Sequence, residues 1–330
     1  MSSSDASAGT ADTARTDAPP VGIAIIGPTA SGKTALSIEV ARRLGGEIVS
    51  MDSRQVYRGM DIGTAKATAE EQAAVPHHGL DLVDPAERFS AGRFADLARA
   101  VIADIRARGR VPILVGGTGF FLRALTHPLF DEPPLEPERR AALERVLRSL
   151  DDPTLQRWLS ALDPGIEASL ARGGGRQRAL RALEVALLTG RTLDWWHRHA
   201  PPAFDPVPLR VFVLELDRAE LDRRIDARAH AMVRLGLVEE VRRLLDAGVD
   251  PDAPGMSATG YREIVEHLSG RATLAEAVER IQLATRQYAR RQLTWFRNQL
   301  GDAAVRLDGA RPTRELAAAI ASDWDVVADG

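Results

Sequence analysis

The stretch GPTASGKT, residues 27–34, has the spacing of a phosphate-binding loop. In such loops, backbone N–H groups and the start of the next helix face an anion, the lysine contacts the terminal phosphates and the threonine hydroxyl can hold Mg²⁺. Because Lys33 and Lys66 are the only lysines in the chain, a chance match has a probability on the order of 10⁻³. The motif alone does not distinguish a nucleotide that donates a phosphoryl group from a diphosphate whose other part is transferred.

Strands and helices alternate around this loop. Short apolar runs predict strands at residues 21–26, 47–50, 79–83, 112–117 and 210–216, and segments with helical spacing of apolar residues separate the early ones. This alternation predicts an α/β fold, with a P-loop NTPase-like, mostly parallel sheet that carries helices on both faces.

Two polar segments follow predicted strands directly. MDSRQVY, residues 51–57, comes after the second strand, and GGTGFF, residues 116–121, comes after the fourth. Ligands of parallel sheets bind beyond the carboxyl ends of the strands. We therefore expect both segments to line one cleft with the phosphate loop.

The pattern also predicts the domain organisation. Residues 1–20 are small and polar with no apolar run, which is typical of a disordered tail rather than a signal peptide. Residues 21–132 and 207–330 form the predicted α/β core with C-terminal helices. Residues 133–206 show helical patterning without a convincing strand and end in HAPPAFDPVP, so we expect an inserted all-helical subdomain there.

Composition narrows the class of protein. A chain of 330 residues with 45% apolar content and a net charge of −3 is typical of a soluble globular protein without a membrane segment. The absence of cysteine excludes disulfides, thiolate zinc sites and a cysteine nucleophile, and favours the cytoplasm. The histidine pairs, His77 with His78 and His197 with His199, have the wrong geometry for chelation, so we assign them no metal.

Arginines cluster on two predicted helices. Arg178 and Arg181 share a face in the helical insertion. On the helix at 279–300, Arg286, Arg290 and Arg297 share a face opposite a predicted apolar stripe of Ile281, Ala284, Tyr288 and Trp295. Each set has the arrangement that phosphate-backbone binding needs. Because arginine is abundant in this chain, each set is equally consistent with a solvated helix face.

Seven motifs, taken in order and spacing, closely resemble those of the bacterial tRNA dimethylallyltransferases. They are GPTASGKT, SMDSRQVYRGMDIGTAK, PHHGLDLVDP, ILVGGTGFFLRAL, RQRALRALE, MSATGYRE and ATRQYARRQLTWFRNQ. The resemblance implies transfer of a dimethylallyl group from dimethylallyl diphosphate to N6 of adenosine 37, in tRNAs that read codons starting with U. It also implies a cytoplasmic monomer that uses Mg²⁺ and binds the anticodon stem-loop of tRNA.

The resemblance carries roles onto individual residues. The diphosphate-binding loop falls on Gly27, Pro28, Thr29, Ala30, Ser31, Gly32, Lys33 and Thr34, with Thr34 as the Mg²⁺ ligand. The catalytic residues are Asp52 as general base, Lys33 and Thr118. The tRNA contacts fall on Asp52, Ser53, Arg54, Gln55, Thr118, Arg140, Gln177, Arg178, Arg181, Ser257, Gly260, Tyr261, Arg262, Arg290, Arg291 and Arg297. Most of them lie in the segments 52–55, 177–181, 257–262 and 290–297. Phe121 stands where the family has a tyrosine.

These residue types suit the chemistry of prenyl transfer. An allylic C–O bond ionises readily, so catalysis depends on stabilising the departing diphosphate with Lys33, backbone N–H groups and Mg²⁺. A carboxylate at N6 can accept the proton of the adenine amine, which is the role implied for Asp52. The alternative role for Asp52 is a water-mediated partner of Mg²⁺.

Other possibilities remain open at this stage. Arg224, with Arg228 one turn later, could reach the diphosphate as lid arginines of small kinases do, or could lie on the helix surface. A P-loop small-molecule or nucleoside kinase would share the loop and the sheet but gives no reason for two arginine-lined helices. A non-catalytic RNA-binding module would explain the arginines but not the loop.

Overall fold

The structure is a computed structural model that describes residues 18–127, 129–130, 136–163 and 175–328. Residues 1–17 of the predicted tail, and Gly173 and Gly174 before the Arg178 helix, lie outside the described residues. The chain divides into two compact units, Met1–His127 with Pro206–Gly330, and Pro128–Asp205.

Six strands form one parallel sheet in the described part of the first unit, in the order β3-β2-β4-β1-β5-β6. The strands are β1 (Gly22–Ile26), β2 (Glu47–Ser50), β3 (His77–His78), β4 (Pro112–Gly116), β5 (Leu209–Glu215) and β6 (Val305–Asp308). Every residue of the central strand β1 is buried, as expected for a parallel strand covered on both faces. The predicted α/β class with a parallel sheet is confirmed.

Helices of the first unit surround this sheet. They are α1 (Lys33–Leu44), α2 (Ala69–Ala74), α3 (Ala91–Ala107), α4 (Gly119–Thr126), α9 (Arg218–Arg234), α10 (Leu237–Asp246), α11 (Tyr261–Leu268), α12 (Leu274–Gln299) and α13 (Thr313–Ala328). Apolar side chains of α1 and α13 pack with Ile23 and Ile25 of β1 in one core. Ala24 and Ile26, which alternation points to the other face, are also fully buried.

The second unit is helical in its described residues, as the sequence pattern predicts. Its helices are α5 (Pro137–Ser149), α6 (Asp152–Leu162), α7 (Arg176–Thr189) and α8 (Leu193–His199). Helices α5, α6 and α7 share a core of their own, made by Leu147, Leu155, Leu159, Ala179, Leu180, Ala182 and Leu183. A separate core explains why this unit can be inserted into the α/β unit as a block.

The strand predicted at residues 79–83 is wrong. Gly79 and Asp81 have φ angles of 82° and 53°, which a strand cannot accommodate. The Asp81 carboxylate instead accepts a hydrogen bond of 2.6 Å from the buried Lys66 ammonium, which also donates to the Tyr57 carbonyl at 2.9 Å. The second lysine of the chain therefore stabilises a loop. Sequence patterning also missed the edge strand β6.

Candidate active site

A cavity of about 520 Å³ opens at the carboxyl ends of β1, β2 and β4. Residues of the phosphate loop, of the segment after β2 and of the segment after β4 line it, as the sequence predicts, and α9 and α12 complete its wall. The polar and charged lining includes Thr29, Lys33, Thr34, Ser50, Asp52, Ser53, Arg54, Gln55, Arg228, Ser257, Arg262, Tyr288, Arg291 and Gln292. Three segments far apart in sequence thus share one cavity.

The phosphate loop has the backbone that its sequence requires. Gly32, with φ of 94°, precedes the first residue of α1, and Ala30 adopts φ of 62°. The Lys33 ammonium curls back over the loop and donates to the Pro28 carbonyl at 2.6 Å and to Ser31 Oγ at 3.4 Å. The start of α1 therefore faces the cavity, where an anion is favoured.

Cationic groups dominate the electrostatics of the cavity. Burial, together with the nearby Arg228 guanidinium, lowers the pKa of the Lys33 ammonium to about 7, although the Asp52 carboxylate opposes the shift. Burial also lowers the pKa of Arg228, again opposed by Asp52. Two desolvated cations beside one carboxylate favour a polyanion, because a diphosphate would relieve their repulsion.

Asp52 is held by the turn that follows β2. Its Oδ1 accepts a hydrogen bond of 2.8 Å from the Arg54 N–H. None of the described residues donates a hydrogen bond to its Oδ2. A carboxylate that lines a cavity and is fixed through one oxygen has the arrangement of a general base.

Thr118 lies beside this turn. Its Oγ1 accepts a hydrogen bond of 3.1 Å from the Ser53 N–H, and Thr118 also interacts with the Tyr288 hydroxyl on α12. Burial and then the Asp52 charge raise the pKa of the Tyr288 hydroxyl to about 12, so this phenol is neutral at physiological pH. Thr118 is therefore positioned from both sides of the cavity.

The glycines around Thr118 are explained by packing. A Cβ at Gly116 would lie 1.9 Å from the Met51 carbonyl oxygen, and one at Gly119 would lie 2.3 Å from the Trp295 ring. Phe121, at the family's tyrosine position, is buried and stacks on Phe94 with ring centroids 4.4 Å apart. That position belongs to the core in this chain.

In the segment after β2, the residues that are predicted to contact tRNA divide into two groups. Arg54 reaches across the cavity and donates to the Pro254 carbonyl at 3.0 Å and to Ser257 Oγ at 3.1 Å. Gln55 is used internally, because its amide bonds to Ser50 Oγ at 2.8 Å and to the Ala65 carbonyl at 3.1 Å. Its side chain therefore positions the cavity wall.

The segment 257–262 shows a similar division. Arg262 and Ser257 line the cavity. Tyr261 is fully buried, and its hydroxyl donates a hydrogen bond of 2.6 Å to Glu240. Side-chain contact between Tyr261 and tRNA is therefore excluded in this conformation. Glu240 also accepts backbone N–H groups from residues 61–63, while the Gly260 N–H donates to Glu263 at 2.7 Å.

The apolar stripe predicted on α12 is wrong in part. Ile281 is buried, but Ala284 and Tyr288 face the cavity, and the buried face is displaced toward residues 278, 289, 292 and 296. The predicted arginine stripe is also interrupted, because Arg286 pairs with Asp226. Arg291 lines the cavity, whereas the exposed Arg290 and Arg297 lie roughly 160–180° around the helix from Tyr288.

Arg224 and Arg228, which the sequence places either near the diphosphate or on the helix surface, differ in their surroundings. Arg228 lines the cavity. The Arg224 Nε donates to Glu220 at 2.6 Å, and its Nη1 lies 3.8 Å from where a Cβ on Gly32 would be. Arg224 is thus near the loop but held by a carboxylate. The i, i+4 spacing identified both arginines, but only packing shows that Arg228 faces the cavity.

In the helical unit, the predicted tRNA contacts converge on one carboxylate. Arg140 and Arg181 both pair with Glu184, the latter at 3.1 Å. Gln177 and Arg178 are exposed in the first turn of α7. The glutamate holds two guanidinium groups together on one surface of this unit.

The histidines are explained by local hydrogen bonds. His77 Nδ1 donates to the Val75 carbonyl at 2.7 Å, and burial lowers the pKa of its ring. His78 Nε2 lies 2.7 Å from Glu47. No helix in the described parts of the chain combines the length and the apolar character needed to cross a bilayer.

Comparison with known proteins identifies relatives over most of the chain. A family model described as IPP transferase matches residues 55–299, and one described as isopentenyl transferase matches residues 22–78. The tRNA dimethylallyltransferase of Anaeromyxobacter sp. strain K is 50% identical over 283 residues, which are 86% of this chain and 92% of that protein. The tRNA dimethylallyltransferase of Roseiflexus sp. strain RS-1 is 48% identical and covers 92% of this chain and 98% of its own.

Solved structures show the same relationship. A tRNA isopentenylpyrophosphate transferase from Bacillus halodurans superposes with a TM-score of 0.66 at 39% identity, over 93% of this chain and 97% of that one. A eukaryotic dimethylallyltransferase acting on tRNA gives a TM-score of 0.77 at 27% identity, over 93% of this chain and 79% of that one.

Proposed function

The chain belongs to the family of tRNA dimethylallyltransferases, and we propose that it uses this cavity to prenylate tRNA. The enzyme transfers a dimethylallyl group from dimethylallyl diphosphate to N6 of adenosine 37, in tRNAs that read codons starting with U. The observation that carries the assignment is that Asp52 and Lys33 line one cavity. A candidate base thus faces a phosphate-binding loop, with space between them for an acceptor and an allylic donor.

The reaction is a substitution at the allylic carbon. The N6 amine forms a C–N bond to C1 of the dimethylallyl group as the C–O bond to the diphosphate breaks. The N6 proton passes to the Asp52 carboxylate, which later releases it to water. The products are N6-(dimethylallyl)adenosine, diphosphate and one proton. Lys33, Arg228 and the loop N–H groups stabilise the charge that develops on the leaving diphosphate.

The residues present fit a Mg²⁺ ion bound with the diphosphate. The Thr34 hydroxyl and the Asp52 carboxylate are oxygen groups on the same cavity, and Mg²⁺ usually takes one or two protein oxygens together with substrate phosphates. Bound there, the ion would supply charge neutralisation for the diphosphate. Thr34 is the residue proposed to hold it directly.

The acceptor base must leave the anticodon stack to enter the cavity. Arg54, Ser257, Arg262 and Arg291 lie at its wall and are the proposed contacts to the loop nucleotides. Arg140, Gln177, Arg178 and Arg181 are the proposed contacts of the helical unit with the phosphate backbone. We expect the enzyme to act as a monomer in the cytoplasm, in keeping with a sequence that lacks cysteine.

One assay tests this function against the kinase alternative. The protein is incubated with dimethylallyl diphosphate labelled in the prenyl group, or with ATP labelled at the γ-phosphate, with and without unmodified tRNA. The expected result is prenyl label in tRNA, at adenosine 37 after nuclease digestion, and no label from ATP in any acceptor. Transfer of the γ-phosphate without prenyl transfer would reverse the assignment.

A further inference from the structure

One buried side chain joins two loops of the cavity that are far apart in sequence. Gln292 on α12 is 6% exposed. Its Oε1 accepts a hydrogen bond of 2.9 Å from the Thr29 N–H in the phosphate loop, and its Nε2 donates one of 2.8 Å to the Gly117 carbonyl. The amide therefore bridges the segment that follows β1 and the segment that follows β4.

The Gly117 backbone packs closely against the Gln292 amide. A Cβ at Gly117 would lie 2.1 Å from the Gln292 Nε2 and 3.3 Å from the Gly27 carbonyl oxygen. The backbone at position 117 comes this close to the amide only because it carries no side chain. A buried amide with a donor and an acceptor satisfied on two loops fixes both loops, because loss of either bond leaves a polar group desolvated.

Neighbouring side chains of α12 act on the same loop. Tyr288, one turn earlier, interacts with Thr118, and the Trp295 ring packs where a Cβ on Gly119 would be. Residues 117, 118 and 119 are therefore each held by a side chain of α12. Gln292 is the one of the three that also reaches the phosphate loop.

We propose that Gln292 is a positioning residue for prenyl transfer, which sets the separation between the phosphate loop and the Thr118 loop. The inference rests on the proposed function. The phosphate loop holds the leaving diphosphate, and Thr118 with Asp52 holds the acceptor base. Their separation fixes the distance between the N6 amine and the allylic carbon. An error of about 1 Å in such a distance can cost on the order of 10² in rate.

These two hydrogen bonds also distinguish the role of Gln292 from the tRNA binding that the resemblance implies for segment 290–297. Both ends of its amide are occupied by backbone groups of the cavity wall, whereas its neighbours Arg290 and Arg291 are exposed. Loss of the amide is therefore expected to slow the bond-forming step without weakening the binding of tRNA.

The test is Gln292→Met, which keeps the length of the side chain and removes both hydrogen bonds. The control is Gln282→Met on the same helix, where the amide lies 3.3 Å from His230 Nε2. Prenylation of unmodified tRNA is measured in single turnovers with both substrates saturating, and rates are divided by the fraction of enzyme that binds dimethylallyl diphosphate. That division removes the effect of misfolded protein.

The expected result is a rate about 10–100-fold below wild type for Gln292→Met, with the Kd of tRNA unchanged within about twofold and Gln282→Met equal to wild type. A wild-type rate for Gln292→Met, or a loss confined to the Kd of tRNA, would overturn the inference. Absence of prenylation by wild type in this assay would instead remove the proposed function.

A second variant keeps the Gln292 amide and tests the contact from the side of Gly117. Gly117→Ala places a methyl group against the Gln292 amide, so its rate is expected to fall in the wild-type background. In a Gln292→Ala background the added methyl finds space, so the further loss is expected to be at least threefold smaller. Equal effects of Gly117→Ala in both backgrounds would contradict the contact.

Discussion

At the scale of single residues, the cavity holds ionisable groups away from water and close to one another. Lys33 and Arg228 are two desolvated cations, and Asp52 is the carboxylate whose charge acts on both. The pKa of Lys33 therefore depends on burial and on both neighbouring charges.

Lys33→Ala is expected to remove most turnover and to leave the fold intact, because the ammonium interacts with the charge on the departing diphosphate. Loss of such a contact costs roughly 2–4 kcal/mol of transition-state stabilisation, or about 10¹·⁵ to 10³ in rate. Single-turnover prenylation measures the loss, and circular dichroism with thermal unfolding controls for folding. Near-normal turnover would contradict the role of Lys33.

The lowered pKa of Lys33 predicts proton uptake when the diphosphate binds. With a pKa of about 7, the amine of the free enzyme is largely neutral at pH 8, and the negative diphosphate raises its pKa. At pH values above about 7, the complex therefore holds more protons than the free enzyme. The affinity for the diphosphate is thus expected to fall as the pH rises above about 7.

Calorimetry at pH 8 in buffers of different ionisation enthalpy measures this uptake, which is expected to approach one proton per site. A phosphate group with a pKa of about 6 is already ionised at that pH. Lys33→Arg is the matched control, since its guanidinium stays charged and takes up no proton. Equal uptake by the two proteins would assign the proton to another group.

Asp52→Asn separates the role of general base from that of metal partner. The amide keeps the size and the Oδ1 acceptor for the Arg54 N–H but cannot accept a proton, so kcat is expected to fall by about 10²–10⁴. The Kd of tRNA is expected to change much less. If Asp52 held Mg²⁺ through water, raising Mg²⁺ would restore the rate, so full rescue in a metal titration would refute the general-base role.

At the scale of elements, α12 and α7 present arginines in different ways. Arg290 and Arg297 are exposed on the side of α12 away from Tyr288, whereas Arg181 on α7 is held by Glu184 next to the exposed Arg178. The structure thus places Arg178, Arg290 and Arg297 at the surface, whereas Arg181 must exchange its pair with Glu184, whose side chain is 13% exposed, for a phosphate.

The double variants Arg178→Ala with Arg181→Ala, and Arg290→Ala with Arg297→Ala, are each expected to weaken tRNA binding and to flatten its salt dependence. Removing two phosphate contacts should reduce the slope of log Kd against log salt concentration by about 1.5. Filter binding across a salt series measures it, and affinity for dimethylallyl diphosphate should barely change.

The matched control is Arg42→Ala with Arg43→Ala, which removes the same charge from the last turn of α1, at the end of that helix away from the phosphate loop. Its slope is expected to equal that of wild type. Wild-type slopes for both test variants would show that the two arginine surfaces are only solvated.

At the scale of the whole molecule, the helical unit leaves and re-enters the α/β unit at adjacent positions. The Val207 N–H donates to the Leu125 carbonyl at 3.0 Å, so the ends of residues 128–205 are anchored next to each other. The helical unit also has its own core. The α/β unit therefore does not require the insertion to close its chain.

Replacing residues 128–205 by a short Gly/Ser linker is expected to leave a folded α/β unit that binds dimethylallyl diphosphate, because all the described residues lining the cavity belong to that unit. Affinity for tRNA is expected to fall at least tenfold, through loss of the arginines of α7. Calorimetric titration of the diphosphate and filter binding of tRNA measure the two effects. Loss of diphosphate binding in a folded variant would contradict this division of roles.

The amino-acid sequence by itself determined the phosphate loop, the α/β class and the segments that share the cavity. These features depend on local spacing: GPTASGKT between an apolar run and a helix, and polar segments directly after strands. Sequence motifs also supplied the family. The helical insertion could be predicted because its segments lack the β-type apolar runs found on either side of it.

The tertiary structure alone decided which residues face the cavity. Local periodicity does not show which side of α12 meets the core, so Tyr288 was assigned to a core stripe and Arg286 to an open arginine face. Arg228 lines the cavity, whereas Arg224, one turn earlier on the same face of α9, is held by Glu220. The Gln292 amide finds its partners 263 and 175 positions away in the chain. Such contacts depend on long-range packing, which spacing along one segment does not encode.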